Sequence, residues 1–525
     1  MKHLSRMVAL TLSLTMILAA AVLAEGTPDY LNAQGYPIAK QAVEISVMYP
    51  RAPLNGDFND MWFTKHVLEK TNIKLVWDAV ESAGYEEKKN LALATGDYPD
   101  VFFVGITKND ENVFGPQGIF ISWAEMIRTY APNLQYQLDK NPIAAKSVRF
   151  PDGSIYAFPT FVDIERDRNG LSGFINAKWL EAAGLDMPTN LDELYIALKA
   201  FKEQDPNGNG KADEIPMVAY GSRLVVLSAL GFVDPLHDVR DDQYLYVPMQ
   251  PAYLDYLTYM NRLYVEGLLD PEFFLQTSEQ INAKYAEMRA GMTHGTIYGL
   301  GVADEDWMQY QMIPALTSSA NDVPMIREQS VLLRSAGCAA ITDACPYPEA
   351  VVRLIDYFFT EEGLAAVRLG PKLGTEGIEG GWELFENENG EMDSRIEIGS
   401  ASGFWNWRMQ HTPLNVPYLS SDLVSLVAIG ADYRNQWLED QIFASGHLDV
   451  LRFAYPEVNF TTEEQRTLSM FIDLDNYVGQ MEAKFIMGDV PLTEWEHYLA
   501  QLERLNVQQM ISVRQSAYDR WNAIE

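Results

Sequence analysis

Apolar and polar residues alternate from Val43 to Tyr49 and again from Ile73 to Trp77, the period-two spacing of half-buried strands. Between them Phe63 to Lys70 reads as a helix, and a second helix over Tyr85–Ala94 is stopped by Thr95-Gly96-Asp97. Asp100 to Val104 is a nearly continuous apolar run, the mark of a parallel strand covered on both faces. Strand and helix alternate, so this region is an α/β lobe. Asp152 to Pro159 predicts a tight turn entering a strand, and Gly173 to Asn176 a strand feeding the helix Lys178–Ala183, which Gly184 ends. In the next helix Thr189 or Asn190 is the N-cap, with Glu193 completing a capping box. Its Leu191, Leu194, Tyr195, Leu198 and Phe201 form one buried stripe, which is core and not a cofactor box. From about Thr461 onward the pattern is nearly all helical, with stripes at Phe471, Leu474, Tyr477 and Val478 and then Phe485, Trp495, Tyr498 and Leu502. There is no internal repeat and no low-complexity linker, so ordered strands must join the lobes. Residues 25–42, polar and turn-rich, are expected to form a mobile lead-in.

A chain of 525 residues suggests two to four domains. Its 39 Lys and Arg against 73 Asp and Glu give a formal charge of −34, a surface that repels phosphate backbones and anionic headgroups. Nucleic acid is therefore not an expected partner. Lys2 and Arg6, the apolar run Met7 to Val22, and Val22-Leu23-Ala24 before Glu25 have the layout of a secretory signal peptide over residues 1–24. The alternative is an uncleaved membrane anchor, for which the run is short. Glu25 stands where a bacterial lipoprotein has its lipidated Cys, so the sequence carries no lipobox. Two cysteines, Cys338 and Cys345, make no disulfide framework; they can bridge, but two small buried side chains are the commoner arrangement.

The sharpest local motif is Asp205-Pro-Asn207-Gly-Asn209-Gly210-Lys211-Ala-Asp213-Glu214. Oxygen-bearing side chains at positions 1, 3, 5 and 9, with Gly at 6, follow the rhythm of an EF-hand-type calcium loop. Lys211 at position 7 would donate its backbone carbonyl. Position 12 holds Pro216 instead of a bidentate Glu, so Glu214 would have to take that part. The plainer alternative is an Asn-Gly turn with solvated acids.

Together with Trp179-Leu-Glu-Ala-Ala-Gly-Leu185, Pro188-Thr189 and Leu191-Asp-Glu-Leu194, this loop resembles the extracellular solute-binding proteins of bacterial ABC importers. The likeness is to the large oligosaccharide-binding subgroup that includes alginate-oligosaccharide binders. Ala94 to Asp100, Tyr130 to Asn133, Leu263 to Pro271, Asp356-Tyr-Phe-Phe and Gln515 to Arg520 agree in order. The resemblance implies an α/β, two-lobed periplasmic-binding-protein-like fold (type II) with a ligand cleft, hinge segments near Phe161–Asn176 and Ser330–Cys338, and a helical C-terminal region. It sets the lobes at 43–165 with 337–398 and 170–332 with 399–525. It further implies structural Ca2+ held by Asp205, Asn207, Asn209, Lys211, Asp213 and Glu214. A monomer delivering an oligosaccharide to ABC permease subunits served by a separate ATPase is the expected mode of action, at the cell surface or in the periplasm.

Sugars offer apolar C–H faces and many hydroxyls, so a sugar site wants aromatic platforms beside short polar groups. Trp405-Asn406-Trp407-Arg408 supplies stacking rings with an amide and a guanidinium; its alternative is a buried Trp pair. Tyr298, Trp307, Tyr49 and Trp62 are further candidates, while Trp77 and Trp179 are expected to pack in the core. A secreted glycoside hydrolase or lyase is the rival reading. Among 73 acids some carboxylate pair is always near, so abundance discriminates nothing. The chain has no HExxH, GxSxG, Walker or GxGxxG motif, and no catalytic residue is assigned.

Overall fold

The computed structural model describes residues 27–524 except 33, 164–167, 171–172, 219, 295–303, 330–334, 387–391, 399–402, 414–417 and 421–432. The proposed signal peptide, residues 164–167 and 171–172 of the first hinge segment and 330–334 of the second fall outside the described residues. Two compact units share the chain, one formed by residues 1–163 and 332–430, the other by 164–331 and 431–525.

In the first unit the strand Val43–Arg51 is followed by the helix Trp62–Thr71, the parallel strand Ile73–Glu81, the helix Tyr85–Thr95 and the parallel strand Val101–Phe102. Parallel neighbours require such crossovers, and the two helices supply them. Val47, Met48 and Tyr49 are all buried, as befits a strand covered on both faces, whereas Ile73, Leu75 and Trp77 alternate with exposed Lys74, Val76 and Asp78. The sheet continues through antiparallel Ser335–Ile341 to Phe158–Asp163 and then to parallel Tyr418–Ser420, six strands in all. Asp100 fastens the first strand by accepting hydrogen bonds from Ser46 N and Oγ at 2.7 and 2.8 Å.

Three sequence expectations need correction. Residues 27–42 are not a mobile lead-in: Ile38 and Ala39 are fully buried, Leu31 bridges Ala39, and Arg353 donates to the carbonyls of Asn32 and Gly35. Three apolar anchors and one guanidinium decide this, and they outweigh the turn-rich composition. The apolar run Asp100 to Val104 yields only the short strand Val101–Phe102. The described residues 403–413 and 418–420 belong to the first unit and not the second: the helix Phe404–His411 is hydrogen-bonded there, with Gly56 N donating to Met409 O at 3.0 Å and Trp407 Nε1 to Glu379 O at 3.0 Å.

The second unit holds a four-stranded sheet ordered Tyr310–Met312, Gly173–Asn176, Ala290–His294, Ile215–Met217, the last pair parallel. Asn190 caps the helix Leu191–Glu203 by accepting from Glu193 N, while Glu193 reaches back to Thr189 N at 2.8 Å. Leu191, Leu194, Leu198 and Phe201 enter one core with the C-terminal helices Ile472–Met487, Trp495–Arg504 and Val507–Asn522. Inside this core the buried Glu482 carboxylate accepts from Tyr256 Oη at 2.5 Å, Tyr220 Oη at 3.1 Å and Arg223 Nε at 3.2 Å, so the charge is fully partnered.

Candidate functional site

The loop after the helix Leu191–Glu203 turns through left-handed backbone at Asp205 (φ 48°), Gly208 (φ 69°) and Gly210 (φ 76°). Glycine fills two of these positions without a Cβ penalty. Side-chain oxygens wrap the turn: Gly210 N donates to Asp205 Oδ2 at 2.9 Å, Asn209 N to Asn207 Oδ1 at 3.0 Å and Lys211 N to Asn209 Oδ1 at 2.8 Å. Asn209 Nδ2 donates to Asp213 Oδ1 at 3.0 Å and holds that carboxyl below the usual range. Arg289 fixes the exit by donating from Nε to the Asp213 carbonyl at 3.0 Å. Ile215 N then bonds Arg289 O, which ties the loop to the edge of the sheet.

Three carboxylate oxygens, Asp205 Oδ1 and both of Glu214, are buried without a hydrogen-bond partner. Burial lifts the Glu214 carboxyl above its ordinary range, and the charges of Asp205 and Asp213 push the same way. Acceptors so placed lack a donor, and a hard cation supplies what a hydrogen bond does not. No group of three or more His, Cys, Asp or Glu converges on a metal position among the described residues. The loop instead mixes carboxylate, Asn amide and backbone oxygens, a donor set suited to calcium and unsuited to zinc. The residues fit the ion.

The aromatic candidates separate sharply. Tyr49 is enclosed by Phe58, Trp77 and Phe103, and its hydroxyl donates to Pro413 O. Trp307 is 1% exposed and meets Trp437 edge-on at 4.9 Å. Trp407 is buried against Phe404 and His411. Arg408 is also buried, lies over the Phe404 ring and donates to Arg368 O at 3.1 Å; burial lowers its pKa to about 10. These four are packing residues, each enclosed on the faces a sugar would need. Trp77 and Trp179 are buried as expected. Asn406 is half-buried on the helix Phe404–His411, which also carries Trp405. Tyr298 lies outside the described residues.

Trp62 stands apart. Half-buried at the start of its helix, it stacks on His66 with centroids 4.7 Å apart and lines a cavity of about 720 Å³ with Tyr36, Trp382 and Lys372. His66, one helical turn on, was legible as a partner; Trp382 and Lys372, more than 300 positions away, carried no local signal. Cys345 is a free buried thiol whose pKa burial raises to about 12, while Cys338 lies in the strand Ser335–Ile341.

Residues 52–365 match the bacterial extracellular solute-binding protein family. The fructooligosaccharide ABC transporter substrate-binding protein FusA of Streptococcus pneumoniae is 23% identical over 529 residues, which span 95% of this chain and 94% of the relative. Among solved structures, an HMO-binding solute-binding protein associated with an ABC transporter, from Bifidobacterium longum infantis, matches with a TM-score of 0.79 at 21% identity, covering 92% of this chain and 99% of the other. The alginate-binding protein AlgQ2, in a structure without calcium ion, matches with a TM-score of 0.67 at 21% identity over 93% and 100%. The shared fold is that of two-domain solute-binding proteins.

Proposed function

The chain belongs to the bacterial extracellular solute-binding protein family, and on that footing we propose that it captures an oligosaccharide outside the membrane and delivers it to the permease of an ABC importer driven by a separate ATPase. One observation carries this reading: the likeness to FusA runs through both units and not through one module. The names of the matching proteins support a saccharide solute, since FusA is named for fructooligosaccharides and AlgQ2 for alginate. The basic, apolar start of the sequence supports export through a cleaved signal peptide. No helix among the described residues is long and apolar enough to cross a membrane.

Calcium belongs to the same proposal. Asp205, Asn207, Asn209, the Lys211 carbonyl, Asp213 and Glu214 would hold it. The ion supplies positive charge to a loop rich in unpaired oxygens, and its role is structural. Arg289 and the loop's Asx turns hold the donors in place without it.

A thermal-shift series on residues 25–525 in excess calcium, with neutral oligosaccharides, uronic-acid oligomers and peptides, tests the solute. A large shift with the oligosaccharide recovered intact is expected. Shortened products would replace capture with hydrolysis or lysis, and a shift confined to peptides would remove the sugar assignment.

A further inference from the structure

We propose that the cavity beside Trp62, built wholly from the first unit, binds the ring of a neutral saccharide. Its volume of about 720 Å³ is that of a small-molecule site. The walls are preset. Trp62 is held flat against His66 at an interplanar angle of 19°, and His66 Nε2 is engaged with Tyr357 Oη at 2.9 Å. Trp382, 5% exposed, donates Nε1 to Gly370 O at 2.9 Å and closes the cavity wall, which leaves the Trp62 indole as the stacking platform. At the rim stand exposed Glu361 and Lys372, with Thr375, whose hydroxyl donates to Lys372 O at 2.6 Å and keeps its lone pairs.

The charges select the ligand class. Lys372 lies 5.3 Å from the centre of the Trp382 ring, and Lys70 lies 4.7 Å from that of Tyr36 while pairing with Glu362 at 2.7 Å. The Tyr36 and Trp382 faces thus already carry the protein's own ammonium groups, which repel a cationic ligand. The charged lining residues are Glu361, Glu362 and Lys372, and Glu362 is paired with Lys70, which is not part of the lining, so no excess positive charge draws an anion into a molecule of −34. A neutral ring with vicinal hydroxyls suits what is left. Its C–H face stacks on indole carbon, one hydroxyl donates to a carboxylate, and its neighbour accepts from an ammonium. The inference does not depend on which solute is carried for import, because every lining residue lies in one unit.

Fluorine NMR of the full mature chain labelled with 5-fluorotryptophan tests it, with the Trp62 and Trp382 signals assigned through Trp62→Phe and Trp382→Phe. Titration with methyl glucoside, methyl fructoside, choline and citrate at millimolar concentration is the measurement. Saturable movement of the Trp62 signal by a glycoside, at least threefold weaker in Glu361→Gln and unaffected by choline or citrate, is expected. Response to choline or citrate alone, an unchanged response in Glu361→Gln, or no response to either glycoside overturns the proposal. The oligosaccharide thermal-shift series reads whole-chain stability instead, so either assignment can fail without the other.

Discussion

Replacing Glu214 by Gln should move the stability of the second unit in opposite directions with and without calcium. In the metal-free loop the folded state favours a protonated Glu214, because its carboxylate oxygens are buried and the charges of Asp205 and Asp213 stand beside them. Its folded pKa is raised, so between the unfolded value near 4.5 and the raised value the native chain binds more protons than the unfolded one. Stability of the metal-free protein therefore falls as pH rises through that window. A neutral Gln removes this penalty, and metal-free E214Q melts above the metal-free wild type at pH 7.5. Calcium reverses the order. At 100 times its dissociation constant it stabilises the wild type by about 2.7 kcal/mol, or roughly 5–10 °C at ~2–4 °C per kcal/mol. Losing a direct ligand should weaken binding at least as much as losing an outer-shell partner, roughly 10–100-fold. The same calcium concentration then gives E214Q only about 0.4–1.4 kcal/mol, or roughly 1–5 °C. Scanning calorimetry in chelator and in calcium, at pH 5 and 7.5, measures all four states, and the wild-type shift should be larger at pH 7.5, where the carboxylates are ionised. An unchanged calcium shift in E214Q, an unshifted wild type, or an equal effect of magnesium would refute the assignment.

Three other outcomes follow from packing and titration. Thr64→Val leaves the buried Trp77 indole N–H, now 2.8 Å from Thr64 Oγ1, without an acceptor; urea denaturation should show a loss of about 1–3 kcal/mol. Gly291→Ala puts a Cβ 2.6 Å from Phe201 Cδ2 and 2.8 Å from Pro216 O, and overpacking there should cost about 1–3 kcal/mol by the same measurement. Burial lowers the pKa of His237 to about 3 and of His294 and His447 to about 4. The unfolded chain thus binds more protons between those values and 6.5, so stability is present above pH 6.5 and is lost as pH falls toward 4. For His447, 1% exposed, the steepest loss is about 1.4 kcal/mol per pH unit, read as the difference between melts of metal-free E214Q with and without His447→Gln.

Local order was written in the sequence. The Leu191–Glu203 helix, its Asn190 cap and the Gly184 stop need only neighbours within a turn or two, and the helical C-terminal region declares itself by its 3.6-residue stripes. The spacing of the Asp205–Glu214 loop also resides in ten consecutive residues, although only the fold shows that Asp205 and Glu214 bury oxygens with no donor and that Arg289 clamps the exit. Position in three dimensions was not legible for the aromatics. A Trp or Tyr is amphipathic, equally suited to a core and to a sugar platform, so Tyr49, Trp307 and Trp407 read like Trp62 until long-range packing enclosed them. The same holds for the helix Phe404–His411 and for the N-terminal segment. Their places depend on partners far along the chain, Gly56 for Met409 and Arg353 for Asn32, and sequence periodicity carries no information about such pairings. What the sequence determined by itself is the set of elements and one ion-seeking loop. Which faces stay open to a ligand was decided only by tertiary structure, because burial is a property of contacts between segments and not of any segment alone.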